Sequence, residues 1–515
     1  MAKENKSPVK TISIMMIITL LGKISGLLRD RLLTINYGTG MEANAFLTAS
    51  RIPRVFFDAV FASAITASFI PVFNEYMMRN GKKEAYKFSG NFITVISAFS
   101  LILTVLGIIF SDQLTSLFAG GFDSETAELC SFLTKIMFPT VLFTGLAFSF
   151  VGILQSMGEF NLPAAMSLIS NTFIIIYYFT FNKQFGIVGL AIAFSIAWLL
   201  QALTQIPSLV KRKFFFKPSL SIRNPGMQKV FMLMVPVMVS TWVTPLNQTI
   251  NARFGSELFG GAGVSAIELA YNLYTIIVGV FILSITNYIF PKLSQLNADR
   301  NEKGMKDVIS STMHISMYAV IPMMAGLMVM SSQVINFIYG GGEFDEFSVQ
   351  ITSRALFFLT LGMIGYAVQA VLTRAFFAEQ EGRVPLIAGL ASIVVNVLLS
   401  FVLVDRFDVA GLGIASAASC TVNGIVLIIA IEKGKMGFIN KQFLSDMAKI
   451  ALSTVIMVVI VKLVSGVLPV SAGKLMQLCV PIAAGVVVYI AATALFKVWE
   501  TEFAFNFINE KILRR

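Results

Sequence analysis

Fourteen stretches of mostly apolar residues run through the chain, near 12–35, 45–73, 89–111, 129–154, 163–181, 186–208, 229–254, 263–290, 308–331, 349–377, 385–404, 409–431, 447–468 and 475–497. About 20 such residues carry a helix across a hydrocarbon core of about 30 Å. Within that core each backbone N–H and C=O must find its partner inside the protein, which leaves helices and closed barrels as the spanning structures. Stretches this long and this continuous belong to helices. The expected fold is therefore an all-α polytopic membrane protein with 14 transmembrane helices. Charged residues make up only 13% of the chain, against about 25% in soluble domains. The apolar run after Lys10 continues past Leu21 with no small-residue cleavage site, so it reads as a retained first helix and not a signal peptide.

The net charge of +11 is carried mainly by short loops, so it reports topology and not a nucleic-acid partner. Basic clusters stand at Lys3, Lys6 and Lys10, at Arg79, Lys82, Lys83 and Lys87, and at Lys211, Arg212, Lys213, Lys217 and Arg223. They recur at Lys292, Arg300, Lys303 and Lys306, at Lys433, Lys435 and Lys441, and at Lys511, Arg514 and Arg515. The intervening loops are acidic or nearly neutral, as at Asp112, Asp123, Glu125 and Glu128 or at Glu343, Asp345 and Glu346. By the positive-inside rule both termini are cytoplasmic and the number of spans is even.

The chain also repeats itself. Pro163 to Gly189-Leu190 matches Pro385 to Gly411-Leu412 at an offset of 222, as do Phe122-Asp123 and Phe344-Asp345; Pro71 and Pro291 stand 220 apart. A shift of six helices preserves orientation, giving a parallel repeat about an axis along the membrane normal. The expected division is an N-lobe at 1–222, a C-lobe at 223–444, and two further helices with a cytoplasmic tail at 445–515. Paired lobes around a central site are the usual build of alternating-access transporters.

Charges inside the first two apolar stretches narrow the function. Lys23, Arg29, Asp30 and Arg31 lie in the first, and Arg51, Arg54 and Asp58 in the second. A charge at membrane depth costs about 2.5–3.5 kcal/mol on insertion scales, so it faces a protein interior or a water-filled cavity. Lys23, Asp30 and Arg31 share one helical face, and Arg51, Arg54 and Asp58 share another. Arginine offers a planar fork for phosphate and lysine a point charge. The expectation is a cationic cavity for an anionic head group; the bland reading is that the aspartates neutralise the cations and lock the helices together.

Other chemistries are excluded or stay bland. Cys130, Cys420 and Cys479 are scattered on apolar stretches without metal-ligand spacing. His314 is the only histidine and has no Cys, Asp or Glu at ligand spacing, so it reads as structural. Gly260-Gly261-Ala262-Gly263 and Gly340-Gly341-Gly342 lack the lysine and hydroxyl of a P-loop and read as turns.

The segment Gly22-Lys-Ile-Ser-Gly-Leu-Leu-Arg-Asp30, with Tyr37-Gly-Thr-Gly-Met-Glu-Ala-Asn-Ala-Phe46, Arg51-Ile-Pro53 and Ser68-Phe-Ile-Pro-Val-Phe-Asn-Glu-Tyr76, resembles the start of the MurJ (MviN) family. These are bacterial lipid II flippases of the MOP exporter superfamily. The resemblance covers the whole length and implies a non-enzymatic flippase in the bacterial inner membrane. Its substrate would be an undecaprenyl-pyrophosphate-linked glycolipid, with membrane lipids and cell-wall synthesis proteins as partners. It implies a substrate-binding role for Lys23, where the family usually carries a cavity arginine, and for Arg29 and Asp30, which match the family's Arg-Asp pair. Asn44 takes the place of an aspartate, Phe57 and Asn272 of arginines, and Ala62 of a glutamate. Arg54 and Arg253 are the cations offered in compensation, and Arg51 completes the set. Some members hold sodium between helices 7, 11 and 12; the polar residues here are Asn247, Asn251, Asn396, Ser400 and Ser416, with no acid among them, and interhelical packing is their plain reading. No cofactor is expected beyond sodium or membrane-potential coupling.

Three rival readings stay open on the residues. One is a flippase for another undecaprenyl-linked saccharide, which the departures at Asn44, Phe57 and Asn272 motivate. A second is a drug/cation antiporter, against which the cation-rich helices argue. The third is a silent scaffold for cell-wall synthases.

Overall fold

A computed structural model describes residues 8–57, 63–434 and 436–501. Asp58, Ala62, Lys3, Lys6, Lys435, Lys511, Arg514 and Arg515 lie outside the described residues. The described residues form two compact units, Met1–Ser265 and Ala266–Arg515 in their outer bounds.

The first unit is a succession of helices: α1 (Pro8–Tyr37), α2 (Met41–Phe57), α3 (Ser63–Arg79), α4 (Gly81–Ile109), α5 (Ser111–Ala119) and α6 (Ser124–Met137). It continues with α7 (Thr140–Ser156), α8 (Asn161–Thr180), α9 (Asn182–Leu203), α10 (Ile206–Lys211), α11 (Pro225–Thr241) and α12 (Val243–Gly255). Helix α13 (Ala262–Ala298) leads into the second unit, followed by α14 (Glu302–Val329), α15 (Ser331–Ile338), α16 (Glu346–Thr360) and α17 (Met363–Ala378). The second unit closes with α18 (Arg383–Phe407), α19 (Val409–Lys433), α20 (Lys441–Val467) and α21 (Gly473–Leu495). Among the described residues the only β-pairing is an isolated bridge between Gly341 and Phe344.

Among the described residues ten helices, some running across a short break, are long and apolar enough to cross a membrane, and eleven if α16 and α17, bent by 48°, are one span. Three other expected spans fall on α1, on α2 with α3, and on α11 with α12. The chain is thus an all-helical, multi-pass membrane protein.

Lipid offers no hydrophobic drive between helices, so close packing holds them. In the first unit Phe69 of α3 stacks on Phe88 at 5.6 Å and meets Phe92 at 4.5 Å, joining α3 to α4. The chain after α10 is strapped along α4: Asn91 donates to the Ser221 carbonyl at 2.9 Å and accepts from its N–H at 2.7 Å.

Local conformations recur at the offset read from the sequence. Asp123 caps α6 by accepting from the Thr126 N–H at 2.8 Å, and Asp345 caps α16 through the Ser348 N–H at the same distance. These amide donors hold both carboxyls below the usual carboxylate range. A break near the start of α9 turns on Gly186 at φ 51°, and the junction after α18 on Asp408 at φ 53°. Pro139 stands at the break between α6 and α7, whereas Pro291 and Pro322 lie inside unbroken helices. The glycine runs are turns as expected: Gly260 and Gly261 have φ of 62° and 94°, Gly341 and Gly342 of 129° and 59°.

Candidate functional site

Arg29 sits on α1 where that helix packs against α8. Its Nε and Nη2 donate to one oxygen of Asp30, at 3.0 and 2.7 Å. Its Nη1 donates to Asn171 Oδ1 at 3.1 Å. The Asn171 amide in turn donates to the Gly22 carbonyl at 3.1 Å and to Ser25 Oγ at 3.2 Å. Fork and carboxylate are therefore fixed to two helices at once, which limits the rotamer freedom the guanidinium loses on meeting an anion. The Arg29 side chain remains 32% exposed while that of Asp30 is only 10% exposed. Asp30 is the counter-ion that orients the arginine, and Arg29 is the member of the pair that offers surface.

Lys23, two turns before Asp30, is exposed on α1 and makes no hydrogen bond or ion pair among the described residues. Arg54 is also exposed, on α2. Arg51 is buried, and its Nη1 donates to the Gln248 carbonyl at 2.6 Å, fastening α2 to α12.

Asn44 is 1% exposed. Its amide donates to the Thr39 carbonyl at 2.8 Å, and its oxygen accepts from the Ser265 N–H at 3.2 Å and from the Ser265 hydroxyl. That geometry tethers the start of α2 to the first turn of α13. Leaving buried partners unsatisfied costs about 1–3 kcal/mol. Asn44→Ala is accordingly expected to lower the melting temperature of the purified protein while leaving the affinity of the folded fraction for an anionic lipid unchanged. Unchanged melting with lost binding would assign Asn44 to the ligand instead.

Arg253 is placed elsewhere: it pairs with Glu257 at 2.5 Å at the end of α12 and lies against Gly120. Among the described residues it makes no hydrogen bond or ion pair with Arg29 or Asp30. Asn272 is half-buried on α13 in the second unit.

Of the residues read as sodium candidates, Asn251 is buried on α12, Asn396 and Ser400 are wholly buried one turn apart on α18, and Ser416 is buried on α19. The Ser400 hydroxyl has no hydrogen-bond partner among the described residues. Neutral amide and hydroxyl oxygens match a hard cation in donor type but bring no charge. Among the described residues no group of three His, Cys, Asp or Glu is arranged to hold a metal ion.

Sequence reading missed Asn171. A lone asparagine inside the run Ser-Leu-Ile-Ser-Asn-Thr-Phe-Ile-Ile-Ile is itself a signal, because an amide in hydrocarbon seeks a partner on a neighbouring helix.

This helical architecture is shared with solved multi-pass transporters. A structure titled as the inward-facing conformation of a multidrug resistance MATE family transporter of the MOP superfamily superposes with a TM-score of 0.67 at 16% identity, covering 82% of this chain and 98% of its own; the likeness bears on the fold alone. The chain belongs to the lipid II flippase MurJ family, whose model matches residues 35–480. A solved structure titled "Lipid II flippase MurJ, inward closed conformation" aligns with a TM-score of 0.79 at 25% identity, over 94% of this chain and 98% of that one. The probable lipid II flippase MurJ of Buchnera aphidicola (subsp. Acyrthosiphon pisum) is 29% identical over 461 residues, 88% of this chain and 89% of its own. The lipid II flippase MurJ of Burkholderia cenocepacia is 26% identical over 423 residues, 81% and 82% of the two chains.

Proposed function

We propose that this chain is a flippase that carries lipid II, an undecaprenyl-pyrophosphate-linked peptidoglycan precursor, from the inner to the outer leaflet of a bacterial cell membrane. The observation that carries the reading is the Arg29 guanidinium, oriented by Asp30 and Asn171 on the first apolar helix and left one-third exposed. A pyrophosphate offers several anionic oxygens, and a charge-assisted fork binds such a group strongly wherever water is scarce. Lys23 and Arg54, both exposed, add positive potential along the entry. Fourteen spans, with both termini cytoplasmic, would form two six-helix lobes and a C-terminal helix pair. The lobes rock between inward- and outward-open states, and the difference in lipid affinity between the states biases the cycle. If sodium drives the cycle, Asn396 and Ser400 are the oxygens of the second unit that would hold it. The departures at Asn44, Phe57 and Asn272 favour one second reading, a flippase for another undecaprenyl-linked saccharide.

Purified protein in liposomes separates the two. With fluorescent lipid II and an undecaprenyl-pyrophosphate saccharide lacking the peptide supplied together, lipid II is expected to cross preferentially. Equal or preferential crossing of the peptide-free lipid would support the second reading, and failure of both would contradict the transport assignment.

A further inference from the structure

The chain between α10 and α11, residues 212–224, is a strap laid along α4, and its two edges differ in chemistry. One edge is fixed. The Tyr86 hydroxyl donates to the Arg212 carbonyl at 2.9 Å, and Phe214 is buried edge-on against the Tyr86 ring at 5.1 Å. Further on, the Lys217 carbonyl lies so close to Gly90 that an added Cβ there would stand 2.5 Å from its oxygen. The Ser219 N–H donates to Thr94 Oγ1 at 3.2 Å, and Asn91 holds the N–H and carbonyl of Ser221. The strap thus climbs α4 from Tyr86 to Thr94, eight residues (94 − 86), or about 12 Å at the helical rise. That interval runs from the basic start of α4 into the apolar stretch that begins near residue 89.

The other edge is open. Ser219 and Ser221 spend their backbone groups on α4, so the alternating residues Leu220 and Ile222 are turned away from it. These two, with Phe215 and Phe216, are each more than half exposed. Lys211, Lys213, Lys217 and Arg223 are exposed beside them, and their side chains make no hydrogen bond or ion pair among the described residues. The acids of the neighbouring elements are already matched: Glu84 with Lys87, Glu75 with Arg79 and Lys229, and Glu159 with Arg212. The strap leaves a span that ends at Lys211 and enters the helix that opens at Pro225, so a bilayer surface lies within its reach. Large apolar side chains held outward among cations match an apolar phase edged with negative charge.

We propose that strap 212–224 is a binding site for an anionic phospholipid. Phe215, Phe216, Leu220 and Ile222 lie among the acyl chains, and the four cations surround the headgroup phosphate. A zwitterionic lipid carries the same phosphate together with an ammonium of its own, which competes with the strap, so net negative charge is selected. The site shares no residue with the Arg29 pair and does not depend on what the chain transports.

The test uses full-length protein with photo-reactive benzoylphenylalanine in place of Phe216, in vesicles of equal phosphatidylglycerol and phosphatidylcholine. After irradiation, the attached lipids are identified by mass spectrometry. The same probe in place of Val487, exposed on α21, gives the ratio for unselected lipid. Each Lys or Arg near an anionic surface contributes about 1 kcal/mol, a factor of about five. The phosphatidylglycerol ratio at Phe216 is therefore expected to exceed that at Val487 at least about fivefold, and to fall by about that factor in each of Lys213→Gln and Lys217→Gln. Equal ratios at the two probe positions overturn the proposal without any charge variant. So does the absence of lipid adducts at Phe216, which would leave the strap to water or to a protein partner. A ratio unmoved by both lysine variants also overturns it.

Discussion

Arg29→Ala is expected to reduce lipid II translocation by about two orders of magnitude or more. A hydrogen bond to a charged group contributes about 1.5–3 kcal/mol, and the fork can make two of them with a pyrophosphate. At 1.4 kcal/mol per factor of ten, loss of both accounts for that drop. The substitution also strips Asp30, whose side chain is only 10% exposed, of its counter-ion. Breaking a buried pair costs about 3–5 kcal/mol, less where one partner is partly solvated as Arg29 is. Arg29→Ala combined with Asp30→Asn removes that penalty: abundance is expected to return and transport to stay lost. Arg29→Lys keeps a charge but cannot reach Asp30 and Asn171 while also forking onto a phosphate, so it is expected to fall between the two. Transport assays on membranes with matched protein levels check all three. Wild-type transport by the double variant would make the pair purely structural.

The largest effect on stability is expected at Gly365. On α17 this residue meets the backbone of α19 so closely that an added Cβ would lie 2.6 Å from the Cys420 carbonyl carbon and oxygen and 2.7 Å from the Thr421 nitrogen. Those atoms are main chain, so no rotamer can relieve the overlap and the helices must move apart. Membrane helices approach this closely only across small residues, and the contact is what holds them. Overpacking of this kind costs about 1–3 kcal/mol for one methyl group, and Gly365→Leu is expected to leave no folded protein. Gly466→Ala is the matched control: it lies in α20 with nothing within 4 Å of the added carbon, so helix propensity alone should leave stability unchanged or raise it by up to about 1 kcal/mol. Thermal unfolding followed by size-exclusion chromatography ranks the three. If Gly365→Ala melts with the control, the close approach of α17 to α19 carries no weight.

Much of the fold was legible because membrane helices announce themselves through the length of their apolar runs; that Asp123 and Asp345, read as acidic loop residues, cap α6 and α16 was not read. The 48° bend between α16 and α17 was not legible, since no proline marks it; Gly362 stands at the break, where an added Cβ would lie 2.9 Å from the Ala417 Cα. At the site, the charges around Arg29 were singled out by the cost a charge would carry in lipid. Their division of labour was not. Arg51 spends its fork on the Gln248 carbonyl, and Asn44 is consumed by Thr39 and Ser265, because both partners lie far along the chain. Arg253 could have been assigned earlier, as Glu257 stands one helical turn away and forms the expected i,i+4 pair. His314 is the reverse case: its acidic neighbours are 132 and 186 positions distant (446 − 314 and 500 − 314), so only the folded chain brings them together.

The central claim, transport of a lipid-linked pyrophosphate past Arg29, is tested most directly by measuring lipid II at the outer leaflet of cells whose own flippase is depleted and replaced by this chain. The account predicts restored exposure with the wild type and none with the Arg29→Ala, Asp30→Asn double variant at equal abundance. No restoration by a wild-type chain verified in the membrane, or equal restoration by both, would contradict it.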